Sequence, residues 1–245
     1  MNPWERSELL LGTEGIARLQ QVHIAVFGLG GVGSYATEGL ARSGIGALTL
    51  IDGDCYDESN LNRQLYATLD TLGQKKVQAA AERISRVCPT CTITPQFLFY
   101  NTETAAQIDL GQFDFIIDAI DTVTSKLLLI EKAMIAGTPI ISSMGTGNKL
   151  DPSRLQITDL SETQTCPLAR ILRRELRKRG ILHLPVVFSD ELSRKQTVQT
   201  PKASRHTPGS MVFVPAAAGM LMASYVIQIL TKPKKEDNFH ESIGY

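Results

Sequence analysis

The chain has 245 residues, 43% of them hydrophobic, with 25 basic and 25 acidic side chains. That length accommodates one large α/β unit with an added portion, and the balanced charge leaves any nucleic-acid contact to local clustering rather than to an overall field. Four cysteines (Cys55, Cys88, Cys91, Cys166) are too few for a disulfide scaffold at this length, and the charged start (Glu5, Arg6, Glu8, Glu14) has no secretory apolar core, so a reducing, cytoplasmic setting is expected.

Residues 1–21 carry a helical apolar pattern broken at Gly12-Thr13-Glu14-Gly15, which predicts two short helices. An apolar, β-rich run from Val22 to Phe27 then stops at Gly28-Leu29-Gly30-Gly31-Val32-Gly33. A helical pattern follows (Tyr35, Leu40, Ala41), then a second run from Ala47 to Ile51 that ends on Asp52. Strand, glycine turn, helix, strand and acid, with the acid 19 residues after the last glycine, make the fingerprint of a nucleotide-binding βαβ unit. Glycines allow the turn and let a phosphate reach main-chain N–H groups, and the helix N-terminus adds about half a positive charge. Asp52 is placed to accept ribose hydroxyls.

A turn-rich stretch, 53–64, leads to a helix over 73–86 with Val77, Ala80, Ala81 and Ile84 on one face. Strands are expected at 91–97, 113–119 and 139–143, a short helix at 102–108, and a longer one at 122–136 stopped by Gly137. This alternation predicts a Rossmann-like, doubly wound, mostly parallel sheet with an added C-terminal strand and helix portion. In such sheets ligands bind beyond the carboxyl ends of the strands, where Gly28 to Gly33, Asp52, Asp118 and Asp121 all fall. The second half reads as a strand over 154–158, an amphipathic helix over 166–179 and a polar loop over 190–210, long enough to suggest function or mobility. Val212 to Thr231 has no charge and is long enough to span a bilayer; we read it as a buried core helix, with membrane attachment as the alternative. The tail, 232–245, is charged.

The residues after Asp52 decide between dinucleotide and triphosphate chemistry. They include Asp54, Asn60, Asn62, Arg63 and Gln64, then Lys75 and Lys76 opening a helix. A dinucleotide site has little use for an arginine and a lysine near its phosphates. A triphosphate losing pyrophosphate does, because charge builds on the bridging oxygen and leaving group. Asp118 or Asp121 suits Mg²⁺, a hard cation that takes one or two carboxylates plus phosphate oxygens.

In order, GLGGVG, LIDGD, SNLNRQ, GQKKV and DAID make the chain over residues 4–150 resemble the ubiquitin-activating-type adenylyltransferases, which include the molybdopterin- and thiamine-pathway activators. The resemblance implies one adenylation unit over 1–245: a nucleotide core at 1–150 and a substrate-side portion at 151–231. It implies ATP contacts from Gly28, Gly30, Gly31, Gly33, Asp52, Asp54, Asn60, Arg63, Gln64, Lys76, Asp118 and Asp121. Arg63, Lys76 and Asp121 would be catalytic, with Lys76 rather than Lys75 on the phosphates and Asp121 at Mg²⁺. It also implies a homodimer in which Arg6 reaches the partner's site.

Zinc-bearing members of that family use two Cys-x-x-Cys pairs, and tetrahedral thiolate zinc needs four ligands. This chain has one pair, Cys88 and Cys91, read as structural thiols, so no zinc is expected. The second half, ITDLSETQTCPLARILRRELRKRGI followed by VVFSDE, resembles the branch that dehydrates N6-threonylcarbamoyladenosine in tRNA. That branch has no obligatory enzyme nucleophile, because a tethered group closes the ring; Cys166 is read as structural. Arg170, Arg173, Arg174, Arg177, Lys178 and Arg179 would meet tRNA phosphates, joined by Lys195, Lys202, Arg205 and His206. The rival readings are activation of a sulfur carrier's C-terminus, a non-catalytic nucleotide-binding scaffold and a nicotinamide oxidoreductase. A sulfur-relay partner and a monovalent cation stay open at this stage.

Overall fold

A computed structural model describes residues 3–195 and 208–232. Lys202, Arg205, His206 and the tail beyond 232 therefore lie outside the described residues. The chain opens with α1 (Glu5–Leu19), a single helix interrupted at Gly12, whose φ of 70° and ψ of 163° break the helical path. The two short helices expected there are thus two arms of one broken helix. A seven-stranded sheet follows: β1 (His23–Phe27), β2 (Ala47–Ile51), β3 (Thr92–Gln96), β4 (Phe115–Asp118), β5 (Ile140–Ser143), β6 (Leu155–Asp159) and β7 (Pro185–Ser189). The spatial order is β3-β2-β1-β4-β5-β7-β6. Every neighbouring pair is parallel except β6 with β7, which is antiparallel.

The helices are α2 (Gly33–Arg42), α3 (Lys76–Val87), α4 (Val123–Ala136), α5 (Pro167–Lys178) and α6 (Phe213–Thr231). Along β1 the residues alternate between two cores. Ile24 and Val26 join the cluster built with Leu40, Ile84 and Met222, whereas Ala25 and Phe27 join the one built with Leu129, Leu172 and Val186. Helices on both faces explain why the strands read as continuous apolar runs rather than alternating ones. Gly137 ends α4 in the left-handed region, with φ of 71°, as its sequence position predicted. The helix expected over 102–108 shrinks to one 3-10 turn, Ala105–Gln107.

Helix α6 is 19 residues of high hydropathy, long and apolar enough to cross a membrane by length and composition. Here it packs against α2, α1 and the far side of the sheet. Val214, Ala218, Met222 and Val226 are fully buried on its inner side. Its small residues permit a close approach to α2, since a side chain on Gly219 would lie 2.3 Å from the Val32 carbonyl oxygen.

Candidate nucleotide and substrate site

The glycine turn between β1 and α2 uses its glycines for two separate reasons. Gly28 has a φ of 87°, and a Cβ on Gly33 would stand 1.7 Å from the Gly28 carbonyl oxygen, so those two are required by the fold. A Cβ on Gly30 would meet nothing nearer than the Gln64 side-chain nitrogen at 3.9 Å. Among the described residues no side chain comes closer to Gly30, which suits approach of a phosphate to the backbone. Gly31 is closed in by Pro215 and by Arg63, whose Cγ would be 3.4 Å from a Cβ there. Helix α2 has no acidic residue in its first turn, so its positive end stays available to an anion.

Asp52, directly after β2, ties the turn down: its carboxylate accepts the N–H of Leu29 at 2.6 Å and that of Asp54 at 2.8 Å. Burial raises its pKa, against the opposing pull of Lys76 and those two N–H groups. Lys76, 5% exposed, begins α3 and donates to Asp54 at 2.9 Å. Lys75 turns elsewhere and sits 4.4 Å over the ring of Phe97. Asn60 closes a capping box with Asp57. Arg63 donates to the Ser59 carbonyl (2.7 Å) and the Asn62 amide oxygen (2.9 Å), both neutral acceptors, so its charge is not neutralised by a carboxylate among the described residues. Gln64 is buried, with Oε1 unbonded among the described residues.

Asp121 is exposed past the end of β4, where its carboxylate receives a long 3.4 Å bond from Thr122. Asp118 does not join it at the surface, although the sequence placed both among the ATP contacts. It is fully buried and bonded to Lys126 (2.7 Å), Ser142 (2.6 Å) and the N–H of Ile120 (3.1 Å). A carboxylate with its acceptor sites filled inside the fold braces β4 against α4 and β5 and is not presented to a ligand. Lys126 went unnoticed in the sequence; its signal was a cation on the buried face of an apolar helix.

Arg6 is exposed near the start of α1. Its neighbour Trp4 packs on Gly44, ahead of β2 and so at the amino ends of the strands. Arg6 and the same chain's glycine turn are therefore at opposite ends of the sheet.

On α5, Ala169, Leu172 and Leu176 face the core, as the amphipathic pattern predicted. Arg173 is the exception among the six cations, because its guanidinium donates to the carbonyls of Thr163 (2.6 Å) and Leu160 (3.3 Å) and to the Thr163 hydroxyl (2.8 Å). It anchors the preceding turn and is not offered to a partner. Arg174, Lys178 and Arg179 all pair with Glu175, and Arg179 also reaches Glu131. Arg170 and Arg177 are exposed, with no ion pair among the described residues. Arg170 stands in the first turn, at the site edge. Arg177 to Arg179 lie about 12 Å further along the axis, toward the other end of the sheet.

Cys166 caps α5 and is buried beside Gly145. Cys88 and Cys91 are also buried, and burial pushes the Cys91 thiol up to about 12. That is the behaviour of packed thiols, which need a depressed pKa to react. Among the described residues no group of three His, Cys, Asp or Glu could hold a metal alone.

Beyond β5 the chain makes a feature absent from the sequence reading. Asn148, at a positive φ of 59°, donates its N–H to the Gly209 carbonyl, accepts the Gly209 N–H on its side chain and accepts the Arg194 N–H on its carbonyl. Lys149 then points inward, 4% exposed, and donates to the Ser189 carbonyl at 2.7 Å. Burial lowers its pKa, opposed by Cys166, Glu191 and Asp190. Strand β7, which brings Ser189 there, was also not anticipated: a short apolar run running into a polar stretch gave no periodic signal.

A sheet whose carboxyl edge carries a glycine turn, an acid directly after β2 and a helix-opening lysine defines a nucleotide-binding activating enzyme. The sequence profile of the ThiF family matches residues 5–243, and the chain belongs to that family. It is 41% identical over 243 residues to the tRNA threonylcarbamoyladenosine dehydratase of Bacillus subtilis, covering 95% of this chain and 96% of that one. The tRNA N6-threonylcarbamoyladenosine dehydratase of Escherichia coli, in crystal structures with AMP and with ATP, superposes with a TM-score of 0.84 at 34% identity in both cases. The AMP complex covers 92% of both chains and the ATP complex 93% of both. The adenylyltransferase and sulfurtransferase MOCS3 of Danio rerio is 35% identical over only 133 residues, 54% of this chain and 29% of that protein.

Proposed function

We propose that this protein is an ATP-dependent dehydratase of N6-threonylcarbamoyladenosine in tRNA. The observation that carries this reading is a match to enzymes of that name that runs the length of both partners. The match to the Danio rerio adenylyltransferase and sulfurtransferase MOCS3 spans only 54% of this chain and 29% of that protein. The residues supply a consistent chemistry. The threonyl carboxylate is a poor electrophile until ATP activates it. The ureido nitrogen of the same side chain then attacks the activated carbonyl, loses its proton and expels the former carboxylate oxygen with the nucleotide fragment. The net change is loss of one water and closure of a five-membered ring. Because the nucleophile is tethered, effective molarity replaces an enzyme nucleophile, in keeping with a buried Cys166.

In this scheme Asp52 takes the ribose hydroxyls, and the turn around Gly30 with Arg63 and Lys76 takes the phosphates, with Asn60 and Gln64 shaping the pocket wall. Among the described residues Arg63 has no carboxylate to leave, whereas Lys76 must exchange Asp54 for phosphate. The donor set fits Mg²⁺, since one exposed carboxylate plus phosphate oxygens is its usual shell. Asp121 would hold it, and the ion would neutralise charge on the phosphates. Asp118 acts behind the site by fixing β4. The position of Arg6 at the far end of its own sheet supports a homodimer, in which it serves the partner's site. Arg170, exposed at the site edge, is the best-placed tRNA contact, with Arg177 further out on the same helix, and the setting is cytoplasmic, with α6 as a core helix. No step requires a sulfur-relay protein or a monovalent cation. The test is incubation with ATP, Mg²⁺ and tRNA carrying the modification, followed by nucleoside mass spectrometry. Loss of one water from the modified adenosine with ATP consumed is expected. An unchanged mass, with pyrophosphate exchange provoked by a Gly-Gly-tailed carrier protein, would reassign the enzyme.

A further inference from the structure

Three lysines are buried near the carboxyl edge of this sheet; Lys76 pairs with Asp54, and the surroundings of the other two differ. Lys126 is fully buried with a carboxylate at 2.7 Å and a hydroxyl at 3.0 Å. Lys149 is 4% exposed, and among the described residues it has one bonded partner, the Ser189 carbonyl, and no carboxylate within ion-pair distance. The carboxylates around it are engaged elsewhere. Glu191 accepts the N–H groups of Leu150 (3.0 Å) and Asp151 (2.9 Å) and pairs with Arg194, and Asp190 pairs with Arg154 at 2.7 Å. A buried ammonium with three donors and one neutral acceptor is costly to the fold, because buried charges are normally paired. Its position gives the charge a use.

Strand order lays the site out in a line. Asp52 follows β2, the phosphate turn follows β1, Asp121 follows β4, and Lys149 follows β5 and bonds to the end of β7. Successive strands are about 4.8 Å apart, so one row runs from ribose acid to phosphate turn to metal carboxylate to buried cation. The loop from Gly145 to Asn148 is in turn linked to the nucleotide side: Gly209 bonds to Asn148, and the next residue, Ser210, accepts the side-chain N–H of Asn62 at 2.9 Å. An anion placed beyond the phosphates, on the side away from the ribose, lies toward Lys149.

We propose that the Lys149 ammonium receives the threonyl carboxylate of the substrate and holds it beside the nucleotide phosphates for activation. This rests on the dehydratase reading and adds to it the residue that recognises the modification. Unmodified tRNA has no carboxylate at that position, so Lys149 separates substrate from the rest of the tRNA pool.

The experiment is a binding comparison without ATP, using anticodon stem-loop RNA that carries the threonylcarbamoyl group as free acid or as methyl ester. Wild-type protein binds the acid about ten- to a hundredfold more tightly than the ester, the range for a charge-assisted contact. In Lys149→Met the two RNAs bind alike, while ATP affinity and binding of unmodified stem-loop match wild type. Lys149→Arg keeps part of the preference. Equal binding of acid and ester by wild-type protein overturns the proposal without recourse to any variant, as does a Lys149→Met protein that keeps the full preference. If either occurs while wild type still dehydrates modified tRNA with ATP, the dehydratase reading stands alone.

Discussion

The nucleotide side of the site, at the ends of β2, β1 and β4, differs from the side at the ends of β5 and β7 in how each handles charge. On the first, Asp52, Arg63 and Asp121 are open or half-open, and their partners are backbone N–H groups or neutral oxygens. On the second, Lys149 and Glu191 are buried and held by backbone groups reached across the fold. The difference teaches that one sheet edge can serve two needs. A nucleotide arrives with its own charge and is met by open groups and by one buried lysine that already has a carboxylate, Asp54, whereas one carboxylate on a large RNA has to be singled out in a dry place.

The largest effect tests whether buried cations here are alike. Lys126→Met leaves Asp118 buried without its cation and should cost about 3–5 kcal/mol in urea unfolding. Lys149→Met, which removes a charge with no counter-ion among the described residues, should leave stability equal or higher. Equal losses in both would erase the contrast. On the nucleotide side, Arg63→Ala should lower turnover about a hundredfold or more with the melting temperature nearly unchanged, checked by steady-state rates beside thermal unfolding. Gly30→Ala should fold normally yet weaken ATP about tenfold by filling the space above the turn, as calorimetry would show; wild-type affinity would remove the phosphate from that spot.

Acidification sharpens the comparison further. The Asp52 pKa is raised by burial, so the folded protein holds that proton more tightly than the unfolded chain. This group therefore adds stability as pH falls through its folded pKa, and opposes folding above it. If Asp52 takes the ribose as proposed, it must be ionised to accept the hydroxyls, so ATP affinity should fall on acidification with a midpoint above the ordinary aspartate value of 3.8, and Asp52→Asn should abolish that dependence. The smallest effect is expected on α5. Replacing Arg170, Arg174 and Arg177 together by Ala should reduce the slope of log affinity for tRNA against log salt by about one to two, leaving turnover at saturating tRNA intact.

How far the sequence foretold this molecule follows from chain distance. Gly28 to Gly33, Asp52, Asn60 to Gln64 and Lys76 lie within about fifty residues, each beside its own strand or helix boundary, so spacing put the glycine turn and Asp52 at the sheet edge, and the family resemblance added Asn60 and the choice of Lys76. Asp118 misled because a strand-end acid looks the same whether it faces solvent or a lysine eight residues on. Arg173 misled because a helix face is read from period, and the Thr163 carbonyl that captures it belongs to another turn. Lys149 gave no signal, since Ser189 and Glu191 reach it only through β7, slotted between β5 and the reversed β6. Long-range assembly of that kind has no local period to detect.

The close seating of α6 on α2 has a thermodynamic consequence. With Gly219 against the Val32 carbonyl and Ala223 against Gly39, the helix that opens at the phosphate turn cannot unfold without disturbing a helix that ends near Thr231. Local openings of the two are then one event, and the free energy of nucleotide binding is added to both. Amide hydrogens in the middle of α6 should exchange more slowly when ATP is bound, although they are remote from it, so the most apolar helix in the chain would report occupancy of its most polar site.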